Sequence, residues 1–130
     1  MSILIAEDNV AQRHYLREIL EKEFPAHQPV IEAADGEEAI KKAHTLKPDL
    51  VVLDLNLPIA NGIEVTARLN VSMPKTPIVI FTLFDNLLGK RLAELLGIAA
   101  VVQKSDGVEA LLGRIEALLD AQDALAKQGH

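Results

Sequence analysis

Five short apolar runs punctuate the chain: Ile3-Leu4-Ile5, Val30-Ile31 behind Pro29, Leu50-Val51-Val52-Leu53, Ile78-Val79-Ile80-Phe81 and Ala99-Ala100-Val101-Val102. Each is continuous rather than alternating, the pattern of parallel strands covered on both faces. The segments between them follow the helical period instead. Leu16, Ile19, Leu20 and Phe24 form one stripe. Leu88, Leu92, Leu95 and Leu96 form another, and Val108, Leu111, Leu112, Ile115, Leu118 and Leu119 the cleanest. Asn9 with Gln12, Asp35 with Glu38, Asn61 with Glu64 and Asp106 with Glu109 carry the N-cap-plus-three signature of helix starts. The pattern predicts an α/β fold of (βα)5 type with right-handed crossovers and a five-stranded parallel sheet. The last stripe stops at residue 121, which sets the expected domain at 1–121 and a frayed tail at 122–130.

A chain of 130 residues suits one domain, and such chains bury roughly two-thirds of their unfolded surface. Apolar residues make up 49%, which favours a folded globule. The absence of cysteine excludes a disulfide framework, a thiolate metal site and a cysteine nucleophile. The net charge of −6 and the lack of any basic cluster argue against direct nucleic-acid binding, and one Tyr and three Phe offer no stacking platform. The opening MSILIAEDN lacks a basic n-region, and no run approaches the ~20 apolar residues of a membrane span. A cytoplasmic location is therefore the expectation. His14, His27, His44 and His130 have no ligand spacing and are expected at the surface.

In an open α/β sheet, ligands bind beyond the carboxyl ends of the strands. The first strand ends in Glu7-Asp8, the third in Asp54-Leu55-Asn56-Leu57-Pro58, the fourth in Thr82 and the fifth in Gln103-Lys104. If strands one and three are neighbours, their carboxylates converge. Two carboxylates about 4 Å apart repel by ~4 kcal/mol at an effective dielectric near 20. A hard divalent cation relieves that repulsion, and Mg²⁺ takes oxygen ligands of this kind. Asp8 and Asp54 are candidate direct ligands, Glu7 acts directly or through water, and the backbone carbonyl of Asn56 is a further candidate. Lys104 brings positive charge from the other side and Thr82 a hydroxyl. Asp54 then reads as a carboxylate nucleophile for a phosphoryl group whose oxygens the cation and Lys104 neutralise. Asp35, Asn61 and Asp106 are assigned to capping, Asp49 and Asp85 to loops.

This arrangement resembles the response-regulator receiver family over nearly the whole chain. The resemblance rests on the acid pair Glu7-Asp8, the acceptor Asp54, the hydroxyl residue Thr82, Lys104, and the Asp54-to-Pro58 loop followed by Gly62. It implies strand order 2-1-3-4-5 in a flavodoxin-like, doubly wound three-layer sandwich. It implies phosphorylation of Asp54 with Mg²⁺ by a sensor histidine kinase or histidine phosphotransfer protein, docked near the first helix at Gln12 and Tyr15. The chain is then a switch and not a turnover enzyme. Its output face is the fourth predicted helix, the fifth strand and the fifth predicted helix; Ile98, Ala99 and Ala100 make that face apolar and suit partner binding or homodimerisation.

Several positions depart from the family pattern. Val101 stands where many members carry an aromatic residue, and Ser105 where proline often follows the lysine, so no cis peptide is implied there. Leu83 is large where a small residue is usual. Asn56 and Phe84 occupy positions that tune autodephosphorylation, and Phe84 cannot orient a water, so no efficient self-hydrolysis is expected from it. Rival readings are weaker. A haloacid-dehalogenase-like hydrolase needs a second Asp where Asn56 stands. A flavodoxin-like phosphate binder would be repelled by Glu7-Asp8. A degenerate receiver serving only as an interaction module remains the principal alternative.

Overall fold

The computed structural model describes residues 2–83, 91 and 95–128. Its strands are β1 (Ile3–Ala6), β2 (Val30–Ala33), β3 (Leu50–Leu53), β4 (Ile78–Thr82) and β5 (Ala100–Gln103). The helices are α1 (Val10–Glu23), α2 (Gly36–Leu46), α3 (Gly62–Ser72) and α4 (Val108–Gln128), with short 3-10 turns at Pro25–His27 and Lys104–Asp106. The five strands form one parallel sheet in the order β2-β1-β3-β4-β5, as the family resemblance implied.

Burial explains why the strand runs are continuous. β1, β3 and β4 are buried at every position, whereas the edge strands β2 and β5 have partly exposed positions. Alternate residues feed two separate cores. Leu4, Ala6, Val51, Leu53, Ile78 and Ile80 pack with Ala39, Ile40 and Ala43 of α2 and Val65 and Leu69 of α3. Ile3, Ile5, Leu50, Val52, Val79 and Phe81 pack with Leu16 and Leu20 of α1 and Leu111, Ile115 and Leu119 of α4. The period-two pleat thus divides each apolar run between the two helical layers.

Three of the four predicted caps form as read: the Asn9, Asp35 and Asn61 side chains accept from the amides of Gln12, Glu38 and Glu64 at 2.9, 2.8 and 2.9 Å. Asp106 does not cap. It closes the 3-10 turn, and Gly107 at φ +90° separates it from the start of α4. That helix also continues to Gln128, beyond the end of its apolar stripe, so residues 122–128 are helical rather than a frayed tail. Gln122 contributes by donating through Nε2 to the carbonyl of Asp49 at 2.8 Å.

Residues 91, 95 and 96 are helical; Leu88, Leu92 and Asp85 lie outside the described residues. Leu96 packs on the first core, but Leu95 faces solvent rather than joining the expected stripe. Ile98 and Ala100 are likewise core residues and not part of an apolar outer face; of that trio only Ala99 is exposed. His27 is also buried, with Nδ1 3.4 Å from Asp49 Oδ2, and not at the surface as expected. Asp49 accepts the Ser2 amide at 2.8 Å as well, so it joins the start of β1, the Pro25–His27 turn and α4.

Candidate functional site

The sheet register brings the chemistry together. Ala6 of β1 pairs with Leu53 of β3, so the next residues, Glu7 and Asp54, emerge side by side. Their backbones remain tied, with the Asp54 amide donating to the Ala6 carbonyl at 3.2 Å. Counting by twos from Ile3-Ile5, Leu50-Val52 and Ala100-Val102 reaches Glu7, Asp54 and Lys104. All three therefore continue the sheet face that packs on α1 and α4.

Lys104 Nζ lies 2.6 Å from Glu7 Oε1 and 2.7 Å from Asp54 Oδ2. It donates a third bond to Gln12 Oε1 at 2.9 Å. The other Asp54 oxygen, Oδ1, accepts from the Thr82 hydroxyl and from the Asn56 amide, both at 3.1 Å. Glu7 Oε2 accepts from the Asn9 amide at 3.2 Å, and the Glu7 carbonyl accepts from Arg13 at 2.8 Å. Glu7, Asp54 and Thr82 are buried, so these bonds form in surroundings that screen charge weakly. Burial pulls the Lys104 ammonium down, but its bonds to Asp54 and Glu7 outweigh that and hold it above the ordinary lysine range. The cation that relieves the Glu7–Asp54 repulsion here is thus the protein's own. The sequence placed Lys104 on the far side of the acids; the structure places its ammonium between them.

Asp8 behaves differently. It is exposed, and among the described residues it makes no hydrogen bond or ion pair. Among those residues no three His, Cys, Asp or Glu side chains are gathered closely enough to hold a metal ion. Two carboxylates, however, already meet a single cationic nitrogen. The Glu7 and Asp54 carboxylates that meet there are hard oxygen donors, a chemistry that fits Mg²⁺.

The loop that presents Asp54 is held from behind by two glycines. A Cβ on Gly62 would lie 2.4 Å from the Asp54 carbonyl, and one on Gly36 would lie 1.7 Å from the Ala60 carbonyl. The Gly62 amide donates to Leu55 at 3.0 Å and the Gly36 amide to Pro58 at 3.2 Å. Helices α2 and α3 therefore grip the loop by their first residues. Gly62 was legible in the sequence as part of a motif; Gly36 was not, because nothing local signals which backbone will press on it.

Val101 is partly buried against the first core, paired with Ile80. Tyr15 is exposed, as is Leu83 beside Thr82. Phe84 lies outside the described residues.

Comparison with known proteins agrees with this geometry. The family model of the response regulator receiver domain matches residues 3–116. The chain is 36% identical over 124 residues to the alkaline phosphatase synthesis transcriptional regulatory protein PhoP of Bacillus subtilis, covering 95% of this chain and 50% of that protein. It is 38% identical over 110 residues to protein-glutamate methylesterase/protein-glutamine glutaminase 4 of Myxococcus xanthus, covering 84% of this chain and 31% of that one. The chain thus spans half or less of these relatives' length. Among solved structures it superposes on a two-component response regulator of the LuxR family from Aurantimonas with a TM-score of 0.84 and 32% identity, covering 92% and 85% of the two chains. A CheY-like receiver domain protein from Methanospirillum hungatei gives 0.84 and 26%, with 95% and 96% covered. With its strand order, its buried Asp54 carboxylate and these relatives in agreement, the chain belongs to the response regulator receiver family.

Proposed function

We propose that Asp54 accepts a phosphoryl group from a phosphohistidine, on a sensor histidine kinase or a histidine phosphotransfer protein, and that the new charge switches a partner-binding surface. The observation that carries this reading is the convergence of Asp54, Lys104, Thr82 and Glu7 at the carboxyl ends of four strand segments. Among the described residues, Asp54 Oδ1 accepts from two neutral donors and Oδ2 from Lys104. Oδ2, which faces the cation that would neutralise the incoming group, is the oxygen assigned to attack. The Oδ2–P bond forms as the N–P bond of the phosphoimidazole breaks; the electron pair stays on the imidazole nitrogen, which takes up a proton. Lys104 follows the transferred group and neutralises one of its oxygens, while the Thr82 hydroxyl turns from Oδ1 toward another.

Glu7, Asp8, Asp54 and the Asn56 carbonyl would hold Mg²⁺, which supplies charge neutralisation to the phosphoryl oxygens when bound. Asp8, exposed and unpaired among the described residues, needs no existing bond broken to join them. Gln12 and Tyr15 stand on the exposed side of α1, where a donor would dock. The chain promotes its own phosphorylation and slow dephosphorylation, without turning over a separate substrate.

Incubation with acetyl phosphate and Mg²⁺ followed by intact-mass measurement tests this. Wild type should gain one phosphoryl group; Asp54→Asn, or wild type with a chelator, should gain none. Equal labelling of Asp54→Asn would remove Asp54 from the mechanism. No labelling of wild type would leave the chain as an interaction module.

A further inference from the structure

The helix-start motif at the head of α1 is put to an unusual use. In a capping box the residue three after the cap folds its side chain back onto the cap's own backbone amide. Gln12 occupies that position, and its backbone amide is held by the Asn9 side chain at 2.9 Å. Its side chain does not fold back. The Asn9 amide is instead taken by Glu7 Oε2, and the Gln12 carbonyl oxygen accepts from Lys104 Nζ at 2.9 Å. An ammonium has three N–H donors, and here they meet one neutral acceptor, Gln12, and two carboxylates, Glu7 and Asp54.

We infer that Gln12 is a positioning residue that keeps the Lys104 ammonium over the acceptor carboxylate during phosphoryl transfer. The inference rests on the function proposed above. In that reaction both carboxylate partners of Lys104 change allegiance: Asp54 Oδ2 goes to phosphorus, and Glu7 turns toward a divalent cation. Gln12 is the acceptor whose charge and bonding do not change. It sits on a helix fixed by its own cap, and it lines with Lys104, Tyr15, Leu16, Phe81 and Val108 a cleft of about 200 Å³ between α1 and α4. Without it, the lysine is free to extend along that cleft into water.

The test uses acetyl phosphate with Mg²⁺, which needs no protein docking. Gln12→Met, similar in length but without the amide, should phosphorylate roughly tenfold more slowly, the scale of one lost hydrogen bond to a charged group. Gln12→Glu, which keeps an acceptor oxygen, should return to within about twofold of wild type by the same reasoning. In a Lys104→Met background, Gln12→Met should cost nothing further. Equal wild-type and Gln12→Met rates would overturn the inference and leave Gln12 as a docking contact. So would an additive loss in the Lys104→Met background, or the same loss in Gln12→Glu. A thermal unfolding midpoint for each variant separates a lost tether from a lost fold. If wild type itself is not labelled, the phosphoacceptor reading fails and takes this inference with it; a labelled wild type with an unaffected Gln12→Met overturns this inference alone.

Discussion

Ile59 holds a backbone conformation that its side chain disfavours. It is β-branched, largely exposed, and sits at φ +71° in the loop just beyond Asp54. Its side chain gains little by burial to offset that conformation. Left-handed backbone costs an L-residue about 1–2 kcal/mol, while glycine gives back up to about 1 kcal/mol through unfolded-chain entropy. Ile59→Gly should therefore stabilise the domain by about 0.5–1 kcal/mol in urea unfolding. A loss of stability would mean that Ile59 makes contacts its exposure does not suggest. This strain was invisible in the sequence, where nothing at Ile59 marks a left-handed backbone. Glu7, Asp54, Thr82 and Lys104 were legible because strand ends announce themselves where apolar runs stop. The exact seat of the Lys104 ammonium was not, since a long flexible side chain can reach either side of an acid pair. His27 was misread because a lone histidine in a Pro-Ala-His turn gives no sign of the Asp49 carboxylate that meets it.

Helix placement was read with more success than helix limits. The caps at Asn9, Asp35 and Asn61 form because each is followed at once by a regular helix. Asp106 fails because the chain first completes a 3-10 turn before α4 begins. The Asp35 cap is a fair test of such signals. Asp35→Ala should lower stability by about 1 kcal/mol, read from the denaturant midpoint, and no change would show that the cap bond is replaced by water at no cost. Charge fixes α1 as well. Arg13 and Arg17 both bind Glu32 of β2, at 3.0 and 2.9 Å. Burial pushes the Glu32 carboxyl up, but bonds from Arg17 and then Arg13 prevail and hold it below the usual carboxylate range. The helix bearing Gln12 is thereby anchored to the edge of the sheet.

Taken as one body, the domain couples its two cores through shared strands and closes them at one pole with a buried ion cluster. That cluster gives a pH signature. Lys104 has its proton affinity raised by folding, so its contribution is fully present below about pH 10.4, the unfolded lysine value. It is lost as pH rises through the higher folded value, because the folded state binds the proton more tightly than the unfolded one. Above about pH 10.4, wild type should lose stability more steeply than Lys104→Met, in which this linkage is absent. Parallel curves would refute the coupling. Comparison within the pair cancels the titration of the other lysines and of Tyr15.

The two glycines behind Asp54 make the domain mechanically lopsided. With the start of α3 pressed on the Asp54 carbonyl and the start of α2 on the Ala60 carbonyl, at distances no side chain could share, the loop has no slack to retreat. If Asp54 gains bulk as proposed, its own loop would act as an anvil, and the added volume would press toward Thr82, whose hydroxyl Asp54 already meets. The direction in which such a receiver yields is in this way decided by two missing methyl groups, neither of which touches the reacting atoms.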